Sequence, residues 1–197
     1  MTIADVTWPQ RTERLLLRRF RDADVDRLLE FRNRPDVYRW LLRTVVDRDE
    51  LLAAWRRTLT DERDLSSVVE LGGTVIGTAS LSIHDGMGQD RHDALVGAEA
   101  DVGYLLDPAY AGQGYGTEIA RALLHLAFDV VGVHRATAGC YADNLASVRI
   151  LEKVGMRREQ YGVKDSWHAE LGWIDGATYG ILAEEWRATA AGASPGG

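Results

Sequence analysis

Residues 110–117, Tyr110-Ala111-Gly112-Gln113-Gly114-Tyr115-Gly116-Thr117, place three glycines at alternate positions between an apolar, strand-like run and a helical one. Glycine lets backbone N–H groups approach a ligand with no Cβ in the way, and the free amides and positive dipole end of a following helix favour an anion there. The stretch reads as a phosphate cradle. Upstream, residues 98–106 alternate, with Ala100, Val102, Tyr104 and Leu106 on one side and Glu99, Asp101, Gly103 and Leu105 on the other, the period of a half-buried strand. Downstream, Ile119, Ala122, Leu123, Leu126, Ala127 and Val130 recur at helical spacing.

Strand, glycine loop and helix could serve a nucleotide, but the spacing is wrong for both common patterns. A Walker loop ends in Gly-Lys-Ser/Thr, which the chain lacks; the dinucleotide fingerprint needs Gly-x-Gly-x-x-Gly, whereas these glycines stand two apart with Thr117 following. With Pro108 ahead of it, Gly114-Tyr115-Gly116 resembles the acetyl-CoA loop of the GCN5-related N-acetyltransferases (GNAT), Arg/Gln-x-x-Gly-x-Gly/Ala after a strand and a proline. A second segment, Asn144-Leu-Ala-Ser147-Val-Arg-Ile-Leu151-Glu152-Lys153-Val-Gly155-Met156, resembles the RimJ/RimL-like branch of that superfamily. Thr12–Phe20 and Tyr179–Trp186 resemble the branch's first and last strands, so the resemblance spans residues 11–188.

The resemblance implies an α+β fold, a single layered GNAT-like domain with a mixed central β-sheet flanked by helices, over residues 1–188. The mixing of strand and helix signals along the chain suits the same class. It further implies acetyl-CoA as cofactor, with CoA as product, and direct transfer of acetyl to an amine. The favoured acceptor is a peptide or protein N-terminal α-amine; a small amine such as an antibiotic or polyamine, and a non-catalytic acyl-CoA-binding sensor, are the alternatives. Backbone amides of Gly112, Gln113, Gly114, Tyr115 and Gly116 would hold the pyrophosphate, with the Thr117 hydroxyl beside them. Ala111 departs from the family, which usually has Arg or Gln there.

Further site residues follow from the same resemblance. The strand edge at Leu105 and Leu106 would hold the pantetheine arm and polarise the acetyl carbonyl, which requires a splayed or bulged neighbour to free its amides. Asp101 and Glu99, on the polar side of that strand, are the candidate proton acceptors, Asp101 standing where the family often has Glu. Many relatives carry a tyrosine seven residues beyond the asparagine; here that position is Leu151, and Ser147 becomes the candidate proton donor. Asn144 and Ser147 are three apart and share a helix face. The same pair also reads as ordinary helix-start chemistry, Asp143 or Asn144 as N-cap with Ser147 in the first turn.

Composition fits one domain: 197 residues, 46% apolar, with 23 Lys and Arg against 30 Asp and Glu for a net charge of −7. An acidic chain argues against nucleic acid and suits amine-bearing substrates. The lone Cys140 excludes an internal disulfide and reads as a small core residue. The five histidines are scattered without metal-ligand spacing, so no metal is expected. No apolar run reaches the roughly 18 residues of a membrane span, and the N-terminus lacks a signal-peptide pattern; a cytoplasmic location is expected. Residues 189–197, small and glycine-rich, read as a disordered tail.

Other elements are predicted at Leu15–Phe20 (strand), Asp22–Arg32, Pro35–Leu42 and Asp47–Leu59 (helices), and Ser66–Leu71 and Thr74–Ile83 (a hairpin turning at Gly72-Gly73). A loop follows over 84–97, then strands at Arg135–Tyr141, around Arg157–Lys164 and at Thr178–Leu182. The dense Arg11, Arg14, Arg18, Arg19 and Arg21 are expected to pair with acidic helices. The tryptophans read as core or interface anchors and leave a homodimer open, while Trp167-His168 and the early helices are candidates to wall an acceptor pocket.

Overall fold

The structure, a computed structural model, describes residues 6–192. One sheet has the strand order β1-β2-β3-β4-β5-β6-β8-β7. Its strands are β1 Gln10–Arg11, β2 Leu16–Arg18, β3 Ser67–Leu71, β4 Thr74–His84, β5 Glu99–Leu106, β6 Arg135–Tyr141, β7 Arg157–His168 and β8 Gly172–Leu182. Neighbours are antiparallel except β5 and β6, which run parallel. The helices are α1 Val25–Arg32, α2 Pro35–Tyr38, α3 Arg48–Thr60, α4 Tyr115–His125, α5 Leu145–Lys153 and α6 Ala183–Gly192. The α+β class with a mixed sheet is the one the sequence implies. No helix among the described residues is long and apolar enough to cross a membrane.

Local chemistry accounts for most element boundaries. Gly72 and Gly73 both adopt positive φ, 57° and 86°, which a tight β3–β4 hairpin requires. Asp47 caps α3 by accepting from Glu50 N–H at 2.8 Å, and Pro35 occupies the first turn of α2, which ends at Tyr38 rather than Leu42. The helical spacing after the glycine loop continues past α4 into a π-helical turn, Leu126–Val131, ended by Gly132 at φ 89°. Two strands are longer than expected. β7 runs to His168 and β8 begins at Gly172, because register shifts at Arg158/Gln160 and Gly162/Ser166 break the period-two pattern along β7. The segment Tyr179–Trp186 is also divided: Tyr179–Leu182 close β8, whereas Ala183–Trp186 open α6, with the Glu185 carboxylate accepting from Leu182 N–H at 2.7 Å. The expected tail overlaps the end of α6, and residues 193–197 lie outside the described residues.

Two apolar layers sandwich the sheet. On one face Ile119, Leu123, Phe128 and Leu151 from α4, the π turn and α5 pack with Val102, Ala136 and Tyr179. On the other, Phe20, Val25, Leu28, Phe31 and Leu51 cover Val68 and Val75 beneath α1 and α3. That second layer covers only part of its face, and Asp101 and Gly139 there are exposed.

Arg18 ties the two sides of this second layer together. It is 7% exposed, as is Asp24, and its guanidinium grips both Asp24 oxygens at 2.7 Å while its Nε donates to Glu70 at 2.7 Å. The N–H of Arg21 adds a further donor to Asp24 at 2.7 Å. Burial pushes the Asp24 carboxyl up, but the Arg18 guanidinium and the Arg21 N–H outweigh it and hold it below its ordinary value. Arg14 pairs with Glu118 of α4, and Arg19 donates to the carbonyls of Thr58, Asp64 and Ser66. The arginine-rich first strand therefore serves internal pairing more with strands, turns and carbonyls than with acidic helices.

Removing one partner of a buried ion pair strands the other, so Asp24→Asn should lower unfolding free energy by about 3 to 5 kcal/mol, read from urea denaturation at pH 7. A depressed folded-state carboxyl stabilises above its unfolded value of about 3.9 and loses that contribution as pH falls through the lower folded value. The gap between wild type and variant should accordingly close below about pH 4.

Candidate active site

β5 and β6 are paired only at Glu99↔Arg135, Ala100↔Ala136 and Asp101↔Thr137. Beyond that point β5 continues to Leu106 and β6 to Tyr141 with no ladder between them, while each keeps its outer partner, β4 or β8. The sheet is forked. The phase of the β4–β5 ladder decides which amides face the fork. Asp107 N–H donates to Ile76 O at 2.8 Å, so the alternation of an antiparallel ladder turns the amides of Leu105 and Gly103 toward β4 and those of Leu106, Tyr104 and Val102 toward the gap. Ala98 O, which accepts from His134 and Arg135 N–H at 2.7 and 3.2 Å on the β6 side, has the same phase. Leu106 thus has its donor in the fork, Leu105 has its donor in the β4 ladder, and Tyr104 adds a second gap-facing amide.

A cavity of about 360 Å³ passes through this fork. Tyr104, Cys140, Asn144 and Ser147 line it on the α4–α5 face; Ser80, Gly103 and Trp40 line it on the other. Asn144 is the N-cap of α5, its Oδ1 accepting from Ser147 N–H at 3.3 Å, so both readings of that residue meet in one place: it caps the helix and borders the cavity. The Tyr104 hydroxyl lies 3.2 Å from Ser147 Oγ and 3.4 Å from Ser147 O. Burial pushes the Tyr104 pKa up to about 12, against an opposite pull from Ser147. Burial likewise pushes the Cys140 thiol up, with Ser147 again acting the other way. At neutral pH both groups keep their protons. Leu151, where many relatives have a tyrosine, is 1% exposed and gives the inner wall of the cavity an apolar side chain instead of a phenol. The phenol that meets Ser147 comes instead from β5, where the alternation puts Tyr104 on one side with Ala100, Val102 and Leu106 and gives it no role.

The glycine loop follows β5 directly. Asp107 Oδ1 accepts from Ala109 N–H at 3.0 Å and starts the turn Pro108–Tyr110, and Gly112 and Gly114 take φ of 76° and 85°. Gly116 has a different reason to be glycine: a Cβ there would meet Ile150 Cδ1 of α5 at 2.7 Å. The first bond back into α4 is from Glu118 N–H to Gly114 O, 3.1 Å, which leaves the amides of Tyr115, Gly116 and Thr117 as the orphan donors of the helix start. Gly112, Gln113 and Gly114 are exposed; Tyr115 and Thr117 are nearly buried. Arg14 braces the loop from the other end of the chain, donating to Gln113 O at 3.0 Å and to Glu118 at 2.7 Å, with its guanidinium 4.4 Å from the Tyr115 ring. Beside it Arg121 and Lys153 line a hollow of about 490 Å³ that reaches Gly114. A cation therefore stands at the loop although position 111 is alanine.

Asp101 occupies the last rung before the fork, on the face opposite Ser147. Thr137 Oγ1 donates to it, and His84 Nε2, a buried nitrogen without a hydrogen-bond partner, is 3.5 Å away. Glu99 sits two residues back within the paired region, 3.5 Å from Arg135, which also binds Glu159. On this face a second hollow, about 450 Å³, shares Trp40, Leu42, Gly139 and Cys140 with the cavity and extends over β8 and β7. Trp167 borders it and is 61% exposed. His168 is 3% exposed and acts as a latch: its Nε2 donates to Arg39 O at 2.7 Å and its Nδ1 accepts from Glu170 and Leu171 N–H at 3.1 and 3.2 Å. It holds the segment after α2, and with it Trp40, against the end of β7.

The family signature described as "Acetyltransferase (GNAT) domain" matches residues 14–157. "Uncharacterized N-acetyltransferase YnaD" of Bacillus subtilis (strain 168) is 26% identical over 175 residues, covering 89% of this chain and 97% of that one. A solved structure, the acetyltransferase (GNAT family) from Bacillus anthracis, superposes with a TM-score of 0.74 at 27% identity, over 88% of this chain and 98% of that one. The fold is also shared, at 17% identity and a TM-score of 0.75, with RimL, a ribosomal L7/L12 alpha-N-protein acetyltransferase solved with coenzyme A, over 87% of this chain and 95% of that one. Fold, fork and glycine loop thus find their place in one family: the chain belongs to the GNAT acetyltransferases and is an N-acetyltransferase.

Proposed function

We propose that this enzyme transfers the acetyl group of acetyl-CoA directly to the α-amine at the N-terminus of a peptide or protein. The fork between β5 and β6 carries the proposal, because it opens one cavity to both faces of the sheet, with hydroxyls on one side and a carboxylate at its crotch on the other. RimL is an alpha-N-protein acetyltransferase, and the Asn144–Met156 segment resembles the same branch.

The loop fits the coenzyme. Open space around Gly112, orphan amides at Tyr115, Gly116 and Thr117, and the cations Arg14, Arg121 and Lys153 beside them suit a diphosphate and a further phosphate. When bound, acetyl-CoA supplies a thioester carbonyl open to a neutral amine and a thiolate as leaving group. The gap-facing amides of Leu106 and Tyr104 donate to the carbonyl oxygen as charge develops there, worth roughly 3 to 4 kcal/mol for a well-placed donor. Asn144 keeps its amide N–H₂ free for a carbonyl of the pantetheine arm. Ser147, in contact with the Tyr104 hydroxyl, holds the proton that the departing sulfur needs, and Tyr104 can replenish it. Asp101 takes the proton released by the attacking amine, directly or through water.

The acceptor preference follows from magnitudes. An α-amine with a pKa near 7.7 to 8.0 is substantially neutral at pH 7.5, whereas a lysine near 10.4 must first lose a proton at a cost of about 4 kcal/mol. Asp101, open to solvent, then has only to carry away the proton that the amine releases after attack.

With acetyl-CoA and a peptide bearing a free N-terminus, thiol release should be rapid, and blocking the α-amine while leaving a lysine free should abolish it; equal turnover of both peptides would overturn the α-amine assignment. Ser147→Ala and Tyr104→Phe should each lower kcat by roughly 10 to 100-fold, and the double variant should fall well short of the product of the two, since both hydroxyls serve one proton path. A protonated Cys140 is no nucleophile, so Cys140→Ala should retain kcat within about threefold; its abolition in a folded protein would exclude direct transfer.

A further inference from the structure

On the acceptor face one carboxylate is aimed with unusual care. β7 carries an irregularity between Gly162 and Ser166, and within it Lys164, not a glycine, adopts φ 48°. Non-glycine residues in the left-handed region are strained and persist where surrounding contacts over-determine them. Here the pin is Asp175 on β8, which accepts from Lys164 N–H at 2.8 Å and from the Tyr161 hydroxyl. The bulge tips Asp165 back across the sheet: a Cβ at Gly162 would lie 1.6 Å from its Oδ2, and one at Gly176 of β8 would lie 2.6 Å from its Oδ1. Both positions are glycine, which leaves room for the carboxylate to lie flat over the strands.

Asp165 lines the 450 Å³ hollow together with Trp40, Leu42, Tyr141 and Thr178. Ser166 Oγ donates to it at 2.9 Å, and among the described residues no Arg, Lys or His side chain pairs with it. The nearby acid Asp175, by contrast, is committed to the bulge. The hollow adjoins the through-sheet cavity, so a group over β8 would sit one to two strand spacings, roughly 5 to 10 Å, from an amine in the fork.

We infer that Asp165 is the anion of a subsite for a second positive charge on the acceptor, an alkylammonium or guanidinium whose apolar stem lies against Trp40. The amine in the fork must be neutral to react, so it cannot itself be the partner of a carboxylate in the neighbouring hollow. The subsite deepens the acceptor proposal above and rests on this face being the acceptor side. The cation could be a lysine or arginine side chain near a peptide N-terminus, or the far amine of a polyamine.

Calorimetric titration of the CoA-loaded enzyme distinguishes these sources. Two matched pairs serve as probes: a free-N-terminal Ser-Lys-Ala-Ala peptide against its norleucine counterpart, and spermidine against 1-aminoheptane. The charged member of at least one pair should bind 10-fold or more tightly, and Asp165→Asn should erase the difference. Gly162→Ala, which displaces the carboxylate without removing its charge, should do the same, with the melting temperature of each variant confirming the fold. Equal binding within both pairs, no binding of any probe, or a preference that survives in both variants would overturn the subsite. Spermidine selectivity with no peptide acetylation would leave the subsite standing and remove the α-amine assignment; peptide acetylation with equal binding within both pairs would do the reverse.

Discussion

The structure depends on a separation: two parallel strands that pair for three residues and then part. Hydrogen bonding normally claims every backbone donor in a sheet, and leaving a ladder open in a buried layer is unfavourable unless something else meets those groups. β5 keeps β4 along its whole length and β6 keeps β8, so each strand stays anchored on one side while its other edge is released. The fork therefore needs no bulge in β5 itself. It also places the two kinds of chemistry apart, because alternate residues of β5 look to opposite faces: Tyr104 toward α5, Asp101 toward the open side.

Much of this was legible in the residues. The alternation over 98–106, the Gly72-Gly73 turn, the bounds Arg135–Tyr141 and the spacing of Asn144 and Ser147 are local patterns, and local patterns survive folding when they agree with the tertiary environment. What could not be read concerns partners distant in the chain. Nothing near Tyr104 in sequence announces that its hydroxyl ends beside Ser147, and nothing near Arg14 announces Gln113 and Glu118. His84 stands at the end of β4 and reaches Asp101 only through the β4–β5 pairing. The length of β7 was hidden for a related reason. Its irregularities disrupt the period on which strand recognition relies, and they are the feature that turns Asp165 across the sheet. The release of β5 from β6 has no local signature, since it reflects where β6 goes next.

The departures from the family pattern also look different in space than in sequence. Alanine at position 111 and leucine at position 151 remove an expected cation and an expected phenol. Arg14 stands beside the loop and Tyr104 stands beside Ser147, each delivered by another element. A hydrogen bond is indifferent to which segment brings its donor, so a site can keep its chemical content while its residues move between strands and helices.

The contact between Gly116 and Ile150 has a mechanical consequence. It brings α4 and α5 together with only the Ile150 side chain between them, one turn beyond Ser147 on one helix and at the opening turn of the other. The glycine turn and the hydroxyl at the fork are thereby held like the jaws of a calliper. On the proposed reading, that fixed spacing would gauge the reach of the donor, from charged end to sulfur, before the acyl group or the acceptor comes into play.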